Sequence, residues 1–99
     1  MMKIKEILNG IDIVSSQGDD NRLISNIEFD SRKVTVGSLF VAVKGYNTDG
    51  HDYIREAVTS GATGIICEIL PKVPDSGICW IETNDSAKAL GNAASNFFG

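Results

Sequence analysis

Apolar positions recur at helical spacing in some stretches of this chain and as short, dense runs in others. Lys3 to Leu8 puts Ile4, Ile7 and Leu8 on one face, with Gly10 following, which predicts a short N-terminal helix. Ile11 to Val14 predicts a short strand, and the polar run Ser15 to Asn21, containing Gly18, predicts a turn. Leu23 to Phe29 alternates in part. Leu23, Ile27 and Phe29 fall on one side, Asn26, Glu28 and Asp30 on the other, and Ile24 and Ser25 break the pattern. That predicts a half-buried strand. Lys33 to Gly37 then turns the chain into the unbroken apolar run Leu39–Val43, a strand covered on both faces.

A glycine-bracketed loop from Lys44 to Gly50 follows, with Asp49 placed to cap a helix and Asp52 favoured near its N-terminus. Tyr53, Ile54, Ala57 and Val58 form its stripe, and Gly61 ends it. Thr63 to Ile69 is the next strand, so the chain holds a strand–helix–strand unit with a parallel pair and a right-handed crossover. Pro71 to Gly77 carries both prolines and predicts a loop. Ile78 to Ile81 is a further buried strand. Asn84, Asp85 and Ser86 are all good caps for a last helix with Ala87, Leu90, Ala94 and Phe97 at helical spacing. There are no repeats and no linker. The pattern predicts one small α/β domain over residues 1–99, a mixed, mostly parallel sheet with flanking helices.

Composition narrows the function classes. Ninety-nine residues allow one modest core, and a hydrophobic fraction of 42% is ordinary for a soluble domain. A net charge of −4 and scattered basic residues argue against a nucleic-acid partner. No apolar run approaches the ~18 residues of a membrane span. Glu6 and Asn9 stand where a signal peptide would be apolar, so a cytoplasmic protein is expected. Cys67 and Cys79 each lie in an apolar segment and read as buried, reduced thiols; no CxxC or Cys/His spacing suggests a metal. The two aromatics before Gly99 predict that the helix packs on something, and that the chain continues in a longer protein.

Candidate chemistry gathers on either side of the central strand. Gly45 and Gly50 make G-x-x-x-x-G, half of a P-loop, but His51 and Asp52 follow where such a loop needs Lys and then Ser or Thr. No G-x-G-x-x-G is present. His51, the one histidine, either makes a local hydrogen bond in the first helical turn or serves as an acid/base oriented by Asp49 or Asp52. A Cys/His pair, or a hydrolase using His51 with Ser31, has only those residue types in its favour. Asp30-Ser31-Arg32 reads as an Asx turn with a surface arginine or as a recognition turn with a hydroxyl and a planar fork. Tyr46-Asn47-Thr48 reads as a plain polar loop or as a ring, an amide and a hydroxyl suited to a heterocycle.

F-D-S-R-K-V-x-x-G-S-L-F-V-A-V-K-G-Y-N-T-D-G-H-D-Y-I, followed by A-V-x-S-G-A-T-G-I-I-C-E, resembles the N-terminal domain of the Mur ligases. The resemblance covers about residues 23 to 99 and is densest from Phe29 to Glu68. Cys67-Glu68, Asn84-Asp85-Ser86-Ala87 and the Phe97-Phe98-Gly99 ending lean toward the MurE type, UDP-N-acetylmuramoyl-tripeptide synthetase, over the MurF type. It implies a cytoplasmic ligase of peptidoglycan and cell-wall biosynthesis, serving cell shape and division. Such an enzyme adds the third amino acid to UDP-MurNAc-L-Ala-D-Glu, using ATP and Mg²⁺ to form an acyl phosphate that the incoming amine attacks. It further implies that this domain holds the uridine end of the substrate. Phe29 and Ser31 would line the uracil site, with Tyr46, Asn47 and Thr48 on its other side. No catalytic or metal-binding residue is expected here. The central ATP-binding and C-terminal domains are absent, so the 99 residues alone are expected to catalyse nothing. The alternatives are the equivalent domain of a MurF-type D-Ala-D-Ala-adding ligase and a free-standing interaction domain.

Overall fold

The computed structural model describes residues 1–99. Four parallel strands and one antiparallel edge strand form a five-stranded sheet in the order β2-β7-β6-β5-β4. These are β4 (Asn26–Glu28), β5 (Ser38–Val41), β6 (Gly64–Cys67) and β7 (Cys79–Thr83), with β2 (Ile13–Gln17) antiparallel to β7. A separate ribbon pairs β1 (Met2–Lys3) with β3 (Leu23–Ile24). Helices α1 (Ile4–Ile7) and α3 (Ser86–Phe98) cover one sheet face; α2 (Ile54–Thr59) and the loop from Leu70 to Ile78 cover the other.

The pleat sends alternate residues of one run into different cores. Leu39 and Val41 join Ile66, Cys79 and Ile81 against α1 and α3. Phe40 and Ala42 join Ile65, Cys67 and Trp80 against α2. That is why the central strands read as continuous apolar runs. Burying a ring such as Phe40, which is fully enclosed, stabilises the fold by about 1.5–3 kcal/mol. At Gly61 the chain leaves α2 with φ +110°, and a Cβ there would lie 2.8 Å from the Val36 Cα. Glycine is required on both counts.

Three local expectations change. The first edge strand begins at Ile13, not Ile11, and extends to Gln17, through residues read as a turn. Ile11 is buried in the core, while all five β2 residues are exposed, so polarity marked an edge rather than a break. Residues 23–29 form two strands in two different sheets. The chain changes sheet at Ser25, whose N–H donates to the Gly37 carbonyl. One strand phase therefore does not persist: Ile24 and Ile27 are buried, while Leu23 and Phe29 are 52% and 62% exposed. In α3 the buried stripe is Ser86, Ala89 and Ala93, flanked by half-buried Leu90 and Phe97; Ala87 faces outward. Asp85 is the cap, accepting from the Lys88 N–H, and this sets the helix phase.

Candidate functional site

Two chain reversals meet at the C-terminal end of the parallel strands, the usual ligand position in such sheets. The first follows β4. Asp30 caps a 3-10 turn, Ser31–Lys33, by accepting the Arg32 N–H at 3.0 Å. The Arg32 guanidinium folds back on the same carboxylate, Nε to Oδ1 at 3.0 Å and Nη2 to Oδ2 at 2.9 Å. Those hydrogen bonds, the side-chain ones first, hold the Asp30 carboxyl down at about 2. The arginine fork is thus engaged within its own turn. Ser31, in contrast, is buried and donates its hydroxyl hydrogen to Glu56 Oε1 at 2.9 Å.

The second reversal follows β5. Lys44 pairs with Asp49 across it, Gly45 N–H donates to Thr48 O, and Gly50 N–H donates to Val43 O. A Cβ on Gly50 would lie 2.7 Å from Val43 N, and one on Gly45 would lie 2.9 Å from Thr48 O. The two glycines of G-x-x-x-x-G are therefore there for backbone approach. The N–H groups of Gly45, Gly50, His51 and Asp52 are committed inside the loop and the turn that follows it.

Side chains from elsewhere pin this loop. Ser86 Oγ accepts the Lys44 N–H at 2.9 Å and donates to Glu68 Oε2 at 2.7 Å, which also accepts the Ser86 N–H at 3.0 Å. The Ser86 bonds, backbone first, lower the Glu68 carboxyl below its usual range. His51 Nδ1 bonds Asp49 Oδ1 at 2.7 Å, while Nε2 accepts the N–H groups of Glu68 at 2.9 Å and Ile69 at 3.2 Å. The Nδ1–H tautomer satisfies all three contacts. The local hydrogen bond expected of His51 is present, and both ring nitrogens are occupied, so the acid/base reading has no free nitrogen. Asp49 is likewise lowered, chiefly by the His51 backbone N–H.

Between the reversals lies a cleft of about 610 Å³. Phe29 and Ser31 line it from the first, Gly45, Thr48 and Gly50 from the second, and Tyr53 and Glu56 from the chain entering α2. Of the five residues singled out in the sequence, Phe29, Ser31 and Thr48 line this space. Tyr46 and Asn47 sit in the same loop but not in the lining, and Tyr46 projects fully into solvent. Tyr53 and Glu56 went unnoticed as site residues. They are one helical turn apart, so the stripe containing Tyr53 pointed to Glu56 as its neighbour.

A second cleft of the same volume lies beyond α2, with Ile54, Val58, Ile69, Leu70 and Trp80 in its walls, and is more apolar. Cys67 and Cys79 are free and buried. Burial pushes their thiols up to about 12 and about 11, far from nucleophilic use. Ser31 bonds Glu56, not His51, so no serine–histidine pair exists. No helix is long and apolar enough to cross a membrane.

Residues 23–98 match a family profile described as "Mur ligase family, catalytic domain". The chain is 46% identical over 98 residues to a UDP-N-acetylmuramoyl-L-alanyl-D-glutamate–2,6-diaminopimelate ligase of Bacteroides fragilis, covering 99% of this chain and 20% of that protein. The ligase of the same name from Cytophaga hutchinsonii is 42% identical, with 98% and 20% covered. The chain thus spans about a fifth of the length of these relatives. Among solved structures, MurF from Acinetobacter baumannii superposes with a TM-score of 0.77 at 23% identity, over 96% of this chain and 20% of that one. MurF from Thermotoga maritima, in complex with ADP, gives a TM-score of 0.60 at 36% identity, over 70% and 16%. The fold class read from the sequence stands, and the resemblance is borne out: the chain belongs to the Mur ligase family.

Proposed function

We propose that the cleft between the Asp30 turn and the 44–50 loop receives the uridine end of a UDP-N-acetylmuramoyl peptide. On this reading the 99 residues are the N-terminal, substrate-tethering domain of a cytoplasmic MurE-type ligase. The substrate is UDP-MurNAc-L-Ala-D-Glu, and the relatives' names favour 2,6-diaminopimelate as the amino acid joined to it. The carrying observation is the convergence of Phe29, Ser31 and Thr48 on one cleft, an aromatic ring and two hydroxyls from two separate reversals. An aromatic face and hydroxyl groups suit a pyrimidine and its ribose.

ATP and Mg²⁺ do not fit this chain. The loop that half matches a P-loop has both glycine N–H groups already engaged, and His51 and Asp52 stand where the lysine and the Mg²⁺-binding hydroxyl would be. Activation of the carboxylate belongs to residues outside these 99, in the remaining domains that would complete the site in cis. Tyr46 and Asn47, outside the lining, act on this reading through backbone groups or on the parts of the substrate beyond the base.

The test is a titration of the ¹⁵N-labelled chain with UDP. Weak shifts concentrated at Ser31 and at Tyr46 to Thr48 are expected. Shifts confined to the Ile69–Val73 side of the molecule, or none at all, overturn the proposal. The MurF reading draws on the solved neighbours. Assaying the complete gene product for addition of one amino acid or of D-Ala-D-Ala separates the two.

A further inference from the structure

The Ser31 hydroxyl has one hydrogen to donate and two lone pairs to offer. The hydrogen is committed, because its partner is a carboxylate oxygen, Glu56 Oε1, which in its ionised form only accepts. Ser31 is 6% exposed, and its surroundings hold the side chain in place. What it turns toward the cleft is therefore an acceptor. Glu56 itself lines the same cleft, and its Oε2 makes no hydrogen bond within the chain, so it too offers only acceptors there. Arg32 spends its Nε–H and one Nη2–H on Asp30, which keeps its remaining N–H groups, on a largely exposed side chain, off Ser31 and Glu56. Asp30 is taken up by Arg32, while the hydroxyls of Thr48 and Tyr53 and the remaining Arg32 N–H groups can serve carbonyl oxygens.

A wall that presents acceptors beside adaptable hydroxyls fits a ring edge with an N–H between two carbonyls. Uracil has that edge at N3. Cytosine has a bare acceptor at N3, which would face the Ser31 lone pair with no hydrogen between them. We propose that Glu56 sets the base preference of the cleft by fixing the direction of the Ser31 hydroxyl, so that the site takes a uracil or thymine imide and rejects cytosine. Glu56 is a positioning residue that acts through Ser31. The inference rests on the uridine reading above and adds to it the group that makes the reading base-specific.

Paired titrations with UDP and CDP test it, followed at the Ser31 and Thr48 amides of the labelled chain. The unaltered chain is expected to favour UDP over CDP by about tenfold, the ratio that 1.4 kcal/mol corresponds to. In Glu56→Ala the Ser31 hydrogen is released and can donate to cytosine N3, so the ratio falls toward one. In Glu56→Gln the amide oxygen still accepts from Ser31, so most of the preference returns. A merely structural role for Glu56 would weaken both nucleotides together and leave the ratio unchanged. Glu56 is solvent-exposed, and the dispersion of each variant's spectrum is the check that it is folded. Equal ratios in the unaltered chain and Glu56→Ala overturn this inference while the UDP shifts at Ser31 and Thr48 keep the uridine reading. Absence of those shifts with either nucleotide overturns both.

Discussion

The two reversals that frame the cleft are built on opposite plans. The turn after β4 is closed chiefly from within: Asp30 caps it, Arg32, two residues on, closes on the same carboxylate, and Ser31 alone reaches out, to Glu56. The loop after β5 is held from outside. Its first residue hangs on Ser86, 42 positions away, and Asp49, next to its end, on His51, whose other nitrogen grips the start of the chain beyond β6. The first reversal takes its shape mainly from three adjacent residues. A reversal that depends on β6 and α3 exists only when the sheet is complete, so one side of the cleft is coupled to several distant elements and the other to α2 alone, through Ser31 and Glu56.

The largest effect is expected from breaking the external anchor. In His51→Ala the Glu68 and Ile69 N–H groups lose their acceptor. A stability loss of about 1–3 kcal/mol is expected, since the bond to Asp49 goes with these two, each worth about 0.5–1.5 kcal/mol and the exposed Ile69 N–H partly recovered by water. Denaturant unfolding reads the loss, and faster exchange of those two amides locates it. An unchanged unfolding midpoint would contradict the coupling. Ser86→Ala, which removes the acceptor for Lys44 N–H and one of two donors to Glu68, is expected to cost less, about 0.5–1.5 kcal/mol.

Acid sharpens the contrast. Asp30 titrates near 2 in the folded chain instead of the ordinary 3.8. A depressed carboxyl contributes stability that is fully present above its ordinary value and is lost as pH falls through its folded one. Asp49 and Glu68 are lowered as well, so all three make stability fall as pH drops below about 4.5 toward about 2. Carboxyl-carbon NMR should find the Asp30 midpoint near 2 in both the unaltered chain and His51→Ala, because its turn owes nothing to the loop opposite. A return to the ordinary value in the variant would show that the turns are not independent. Least affected should be Tyr46→Ala, since that ring is fully in solvent. The unfolding free energy is expected to stay within about 0.5 kcal/mol, the range of ordinary surface changes.

The same contrast explains what the sequence made legible. The Asx turn at Asp30 and the cap at Asp49 could be named, and Asp85 stood among three candidates, because such residues bond their own neighbours. The run Leu39–Val43 announced a buried strand because both faces of the sheet are covered. The grip of Ser86 on Lys44, and of His51 on Glu68 and Ile69, left no local trace, since each depends on elements brought together only by the parallel sheet. Glu56 was hidden for the same reason: its partner Ser31 lies 25 residues back in the chain. The misplaced phase of residues 23–29 came from a change of sheet at Ser25, which no alternation pattern encodes.

The central claim is that both reversals touch one ligand. It is tested most directly by nuclear Overhauser contacts from the base and ribose protons of UDP to the labelled chain. The account predicts contacts from the same nucleotide to the Phe29 ring and to the Thr48 methyl group. Contacts to Ile69 and Val73 in the apolar cleft beyond α2, with none to Phe29 or Thr48, would contradict it.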